Sequence, residues 1–267
     1  MKRLALLGWP AGHSLSPAIH NAAFRALDLP FEYDTVEVAS EGLAAALDQL
    51  CASGFCGGNV TVPHKEAIVP LCDEVDDVVR RVGAVNTLVH RDGRLSGSNT
   101  DVLGFRAALE EIGIDLRGIS LVVLGAGGAA RAVAFAAHQD GAARIAAVAR
   151  RPERARAFVP LALPWQADAL SDVLGRADLL VNASAAGMPR QIPPCDPPLD
   201  QLRGDAVVFD LVYQPRETPL LAQARRLGLR TIDGTRMLLH QGAASFRVWT
   251  GRDPPFAVME SALDAAL

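Results

Sequence analysis

The sequence predicts a mixed α/β protein made of two α/β domains. Three observations predict it. Strand-like and helix-like patterns alternate from end to end, several short apolar runs have the continuous hydrophobicity of parallel strands buried on both faces, and one such run leads through a glycine-rich turn into an alanine-rich helix. Half of the 267 residues are hydrophobic, ample for two cores when a domain takes roughly 100–200 residues.

Residues 3–8 read as a short buried strand that ends in the turn-rich stretch 9–14. Pro17 suits the first turn of a helix running to Leu27, with Ser16 as its N-cap. Residues 31–38 alternate like a half-buried strand, and 40–50 read as a capped helix with Glu41 in its first turn. Val60 and Val62 belong to another strand, and 84–98 form two strands around an Asp92-Gly93 turn. An amphipathic helix begins at Asp101. The pattern then becomes that of a Rossmann unit: an apolar strand over 119–124, a turn over 125–128 and a helix over 129–138. Residues 144–148, Leu179–Asn182 and Val207–Asp210 read as further strands, and 192–198 as a proline-rich surface loop. The first domain is expected over 1–101, completed by C-terminal helices over 236–267, and the second over 102–235.

Composition excludes several functions. The formal net charge is −4, from 26 basic and 30 acidic residues, without the basic surplus of nucleic-acid binders. Cys51, Cys56, Cys72 and Cys195 form no C-x-x-C pair and no set with zinc-ligand spacing, so they read as thiols in a reducing compartment and no metal is expected. No signal-peptide pattern and no apolar run of about 18 residues is present, which places the expected location in the cytoplasm, away from membranes.

The run Leu121-Val-Val-Leu-Gly125-Ala126-Gly127-Gly128-Ala129-Ala130 fits strand, G-x-G-x-x-A, helix. Its glycines allow a tight turn, and the helix N-terminus offers free N–H groups to a pyrophosphate. A plain strand-to-helix turn would use the same glycines. An acid ending the next strand would bind the ribose hydroxyl of NAD, but here Val148-Ala149-Arg150-Arg151 ends it. Arg150 and Arg151 suit the 2′-phosphate of NADP, or are ordinary surface cations.

Polar residues cluster at three turns of the first domain. His13-Ser14-Leu15-Ser16-Pro17 puts two hydroxyls beside a helix N-terminus, either an anion site for a small carboxylate or a capping segment. Asn59-Val-Thr61-Val-Pro-His64-Lys65 delivers a threonine, a histidine and a lysine where a strand ends, and Gly97-Ser-Asn99-Thr100-Asp101 opens a helix. Asn86 is a polar residue in an apolar strand. Lysine can carry the proton of a carbonyl reduction when a carboxylate orients it, which makes Lys65 and Asp101 the candidate acid–base pair; the other reading is a surface lysine and a helix-capping aspartate. His13 and His64 are rival proton relays ranked behind Lys65.

Taken together, these motifs resemble the shikimate dehydrogenase family over nearly the whole chain. Gly8-Trp-Pro10, His13-Ser14-Leu-Ser16-Pro17 and His20-Asn21 look like its opening motif, and Gly58-Asn59-Val60-Thr61-Val-Pro63-His-Lys65 like its catalytic-lysine motif. Gly83-Ala-Val-Asn86-Thr87, Gly97-Ser-Asn99-Thr100-Asp101 with Gly104-Phe105, Asn182-Ala-Ser184 with Gly187-Met188, Asp210-Leu-Val-Tyr213-Gln-Pro215, and Gly234-Thr-Arg-Met237-Leu238 with Gln241-Gly-Ala follow in the expected order. The resemblance implies an N-terminal substrate domain, a Rossmann-type NADP-binding domain, and hydride transfer between NADPH and the C3 carbonyl of 3-dehydroshikimate. It implies Lys65 as acid–base residue with Asp101 as partner. Ser14 and Ser16 would hold the substrate carboxylate with Tyr213 nearby, and Thr61, Asn86, Asp101 and Gln241 the ring hydroxyls. Gly125, Ala126, Gly127, Gly128 and Ala129 would cradle the pyrophosphate, while Leu211, Gly234 and Met237 flank the nicotinamide. Asp77 falls where some members contact the cofactor. One departure stands out: the usual Asn-Arg-Thr after the second nucleotide strand is Ala149-Arg150-Arg151, which keeps one arginine, loses a polar side chain and adds a charge.

Quinate or dual quinate/shikimate dehydrogenase, a methylenetetrahydrofolate dehydrogenase type of enzyme and a non-catalytic NADP-binding regulator are the alternatives. The sequence does not set the oligomeric state, and a homodimer is one assembly open to it.

Overall fold

The computed structural model describes residues 1–189 and 193–267. Its chain divides into two compact units, Met1–Gly104 with Leu239–Leu267, and Phe105–Leu238. In the first unit β1 (Lys2–Gly8), α1 (Ser16–Ala26), β2 (Phe31–Glu37), α2 (Leu43–Ala52), β3 (Phe55–Val60), β4 (Glu74–Val75), α3 (Asp77–Val82), β5 (Thr87–Arg91) and β6 (Arg94–Ser98) lead into α4 (Asp101–Glu110). The strands form one sheet in the order β2-β1-β3-β5-β6-β4. β1 runs parallel to β2 and β3, while β5 is antiparallel to β3 and β6. Its core gathers Leu7, Phe55, Val60, Ile68 and Leu88 beneath Leu43 and Leu47 of α2.

Local chemistry accounts for the ends of these elements. Asp92 and Gly93 both take positive φ, 53° and 73°, the two-residue turn whose twist matches a right-twisted hairpin. The Asp76 carboxylate accepts from the Val79 N–H at 2.7 Å and starts α3, which left-handed Gly83 ends.

Four expected boundaries shift. β5 begins only at Thr87, so Asn86 lies just ahead of the strand expected to hold it. Ser16 is the first residue of α1 rather than its cap; Leu15 precedes it, and the Ser14 hydroxyl accepts the Ser16 N–H at 3.3 Å instead. Residues 40–50 do not form one capped helix: Ser40–Gly42 is a 3₁₀ turn, and α2 begins only at Leu43 with no side-chain cap. Val62 lies outside β3 and is exposed, since it precedes Pro63, which has no N–H to continue a ladder.

The second unit holds β7 (Ser120–Leu124), α5 (Gly128–Gln139), β8 (Arg144–Ala149), α6 (Pro152–Ala155), β9 (Leu161–Pro164), α7 (Ala167–Leu174), β10 (Leu179–Asn182), β11 (Val207–Asp210), α8 (Pro219–Arg226) and β12 (Arg230–Ile232). All pairings are parallel, in the order β12-β11-β10-β7-β8-β9. This is the doubly wound order, with the reversal between β7 and β10, where ligands bind at the strand C-terminal ends. Alanines at 130, 132, 134, 136 and 137 fill the buried side of α5. Ile192, the first residue of the expected proline-rich loop, lies outside the described residues; 193–198 carry no helix or strand.

α9 (Gly234–Thr250) contains the boundary at Leu238, so its later turns belong to the first unit, where α10 (Phe256–Ala266) packs on α1. Among the described residues no helix is long and apolar enough to cross a membrane.

Candidate active site

Lys65 sits in the turn that follows β3. Thr61 N–H donates to the Leu7 carbonyl at 2.8 Å, and Val85 N–H to the Lys65 carbonyl at 2.8 Å, so backbone bonds hold both ends of the turn. The Lys65 Nζ lies 2.6 Å from Asp101 Oδ2, with side chains 15% and 4% exposed. A nearly buried ion pair is tolerable only when further hydrogen bonds satisfy it. Asn86 Nδ2 has two acceptors at 2.9 Å, Asp101 Oδ1 and Thr100 Oγ1, with Gln241 Oε1 farther off at 3.3 Å. Asn86 cannot turn over, because its Oδ1 accepts the Thr100 N–H at 2.7 Å. The structure thus brings Lys65, Asp101, Asn86 and Gln241 into one bonded chain.

A second layer supports it. Asn59, Thr87, Thr100 and Ser245 are all buried and linked through contacts centred on Thr87 and Ser245, and the Tyr33 hydroxyl donates to Asn59 Oδ1 at 2.8 Å. Ser14 and Ser16 form a separate pair, Oγ to Oγ 3.2 Å. Their loop is tied down by Glu37, whose Oε1 accepts the Ala11 and Gly12 N–H groups at 2.7 and 2.8 Å. Those two bonds hold the Glu37 carboxyl below its ordinary value. The Thr61 hydroxyl has no hydrogen-bond partner among the described residues.

The rival histidines lie in different surroundings. His13 is exposed, while His64 is buried with Nε2 2.6 Å from the Val38 carbonyl, a scaffold contact. His20 is wholly buried with neither ring nitrogen bonded, stacked on Tyr33 at 4.7 Å and edge-on to Trp249 at 4.9 Å. Burial pushes its pKa down to about 3.

In the second unit the turn Gly125-Ala126-Gly127-Gly128 links β7 to α5, whose N-terminus no side chain caps. Gly125 has φ 123°, and a Cβ there would meet the Ala183 carbonyl at 3.0 Å, so only glycine fits. A Cβ at Gly127 would meet nothing within 4 Å, leaving the space over the turn open beside Gly128 and Ala129. Arg150 and Arg151 follow β8, both exposed, and neither side chain makes a hydrogen bond or ion pair among the described residues. This uncapped turn and pair of unengaged cations fit a dinucleotide carrying an extra phosphate. Gly234 presses on Leu211, whose carbonyl lies 2.5 Å from where a Cβ would stand; Met237 is buried on the same helix and Tyr213 half-buried after β11. Asp77 stands apart in the first unit, at the exposed start of α3, paired with Arg80 at 3.1 Å.

Comparison with known proteins decides the family. A family model for the shikimate dehydrogenase substrate binding domain matches residues 6–88, and one for the shikimate 5′-dehydrogenase C-terminal domain matches 234–263. A shikimate dehydrogenase (NADP(+)) of Moorella thermoacetica is 48% identical, covering 99% of this chain and 93% of that protein. The chain belongs to the shikimate dehydrogenase family. The crystal structure of the shikimate 5-dehydrogenase of Thermus thermophilus in complex with NADP(H) and shikimate is 40% identical, covers 100% of both chains and superposes with a TM-score of 0.88. A quinate dehydrogenase from Corynebacterium glutamicum in complex with NAD is 35% identical, with 99% of each chain covered and a TM-score of 0.86.

Two groups of this family member escape sequence reasoning. Ser245 carries its only signal in lying four residues after Gln241 on one helix face. Asp210 lies in the Asp210–Pro215 motif but its burial is not legible: it is fully enclosed and accepts from Thr218 Oγ1 at 2.6 Å, Asn182 Nδ2 at 2.8 Å and Val212 N–H at 3.0 Å. Burial pushes its carboxyl up to about 6, against the lowering by those three bonds.

Proposed function

We propose that this chain is an NADP-dependent shikimate dehydrogenase, reversibly reducing 3-dehydroshikimate to shikimate on the route to chorismate and the aromatic amino acids. The observation that carries the reading is the Lys65–Asp101 pair at 2.6 Å with the Asn86 amide on the same carboxylate. Reduction of a ketone leaves negative charge on oxygen, and a positioned acid must supply a proton there. Lys65 gives that proton and takes it back in the oxidative direction, while Asp101 aims the ammonium. Asn86, Gln241 and the unengaged Thr61 hydroxyl are suited to the ring hydroxyls, and the Ser14–Ser16 pair to the carboxylate, with Tyr213 assigned beside it.

NADPH supplies the hydride when bound. The N–H groups of Gly125, Ala126, Gly127, Gly128 and Ala129 are assigned its pyrophosphate, Arg150 and Arg151 its 2′-phosphate, and Leu211, Gly234 and Met237 the walls around its nicotinamide. Asp77 is kept as a further cofactor contact by resemblance alone. The proposal extends to a cytoplasmic setting, supported by four free thiols, and to a homodimer, which sedimentation velocity would test.

Turnover of shikimate with NADP+ tests the reaction, and Lys65→Ala tests the site. The variant is expected to bind shikimate while kcat falls about 10²-fold or more, the reach of one positioned acid–base group. Near-normal kcat in a folded variant would remove Lys65 from the mechanism. Similarity to a quinate dehydrogenase supports dual specificity as the second reading, and kcat/KM for the two acids separates them.

A further inference from the structure

Ser245 lies in the middle of α9, wholly buried, and its hydroxyl has four partners. It donates to the Gln241 carbonyl one turn back at 3.0 Å and accepts from Asn59 Nδ2 at 3.0 Å. It also meets Thr87 Oγ1 at 2.9 Å and Thr100 Oγ1 at 3.0 Å. Every partner leads to the residues that face the substrate. The Thr87 hydroxyl donates to Asn86 Oδ1 at 2.9 Å and the Thr100 N–H to the same atom at 2.7 Å, which aims Asn86 Nδ2 at Asp101 Oδ1 and Thr100 Oγ1, both 2.9 Å away, with Gln241 Oε1 beside them at 3.3 Å. The Gln241 side chain springs from the turn of α9 whose carbonyl Ser245 holds.

We infer that Ser245 is a positioning residue for the ring hydroxyls of shikimate, tying α9 to β3, β5 and the start of α4 and so setting the Gln241 amide against that of Asn86. The inference rests on the substrate roles proposed above for those two amides. A small apolar residue at this position would fill the space but remove the acceptor that Asn59 Nδ2 and Thr100 Oγ1 share, in a place closed to water, so that both would turn to Thr87 Oγ1 and Asn86 instead. The three hydroxyl and amide groups would then re-pair, and Thr87 and Thr100 are the groups that hold Asn86 Oδ1. A hydroxyl acting only as glue between helix and sheet would change stability and leave substrate affinity alone, and that contrast makes the inference testable.

The experiment is a double-mutant cycle of Ser245→Ala and Gln241→Ala, read as shikimate KM, kcat, NADP+ KM and shikimate Kd by calorimetry. Ser245→Ala is expected to raise shikimate KM and Kd about fivefold, the scale of one buried hydrogen bond. NADP+ KM should stay within about twofold, and the Ser245 effect should shrink below about twofold in the Gln241→Ala background, where no amide is left to place. A lower melting temperature with both shikimate constants unchanged overturns the inference. So does an effect of equal size with and without the Gln241 side chain. Should Ser245→Ala fail to fold, Ser245→Cys keeps the shape with a weaker donor and is put through the same cycle under the same criteria. Calorimetry reads shikimate binding without turnover, so an inactive wild-type chain would undo the functional reading alone.

Discussion

Acidification should weaken the first unit through His20. The ring is fully enclosed by Tyr33, Phe24 and Trp249, with no bonded partner for either nitrogen, and its pKa falls from 6.5 to about 3. The folded value is depressed, so the folded state binds its proton later than the unfolded chain does. Stability from this group is therefore complete above 6.5 and is lost as pH falls from there toward 3. Between pH 8 and 5 the loss depends almost wholly on the unfolded value, because the folded ring stays neutral throughout. One and a half pH units below 6.5, at about 1.4 kcal/mol each, gives about 2 kcal/mol at pH 5. Urea unfolding of wild type and His20→Phe at pH 8, 7, 6 and 5, followed by tryptophan emission to which Trp249 contributes, measures it. The comparison cancels the carboxylates and the other histidines. Wild type should lose about 2 kcal/mol more than the variant on going to pH 5. Equal losses in the two proteins would refute the reasoning and mean that the ring accepts a proton inside the fold.

Two further outcomes are expected. Ser14→Ala with Ser16→Ala should raise KM for shikimate more than it lowers kcat, because hydroxyls holding a carboxylate remote from C3 bind ground and transition states alike; a kcat effect with KM unchanged would count against the clamp. Arg150→Ala should weaken NADP by about tenfold, the worth of one charge-assisted hydrogen bond, and more than Arg151→Ala does, with NAD little affected by either; titrations at two salt concentrations read this, and equal loss of both cofactors would exclude a 2′-phosphate contact.

The strands that sequence reading places to the residue are Leu179–Asn182 and Val207–Asp210, both covered on two faces, so that burial is written into the run itself. The ones it passes over are edges: two-residue β4, β9 ending at Pro164, and three-residue β12, whose exposed side chains break any apolar run. The same contrast holds in the site. Lys65, Asp101 and the Ser14–Ser16 pair are legible because charged and hydroxyl residues crowd into turns. Ser245 is not, since a small hydroxyl facing the core looks like any small residue until its partners from distant strands are known. Ser16 fails as a cap for a related reason: two serines two residues apart compete for one helix end, and only the fold decides between them.

Because the first unit is assembled from Met1–Gly104 and Leu239–Leu267, the order of synthesis and the order of completion differ. Emerging from the ribosome, the chain exposes β1 to β6 long before α9 and α10 exist to cover α1 and carry in Gln241 and Ser245. The contiguous second unit, by contrast, has all its strands available earlier. A nascent chain stopped after Leu238 would hold the whole doubly wound sheet and none of the closing helix face of the other unit. Its buried amides and hydroxyls would stay solvated until the last stretch arrived.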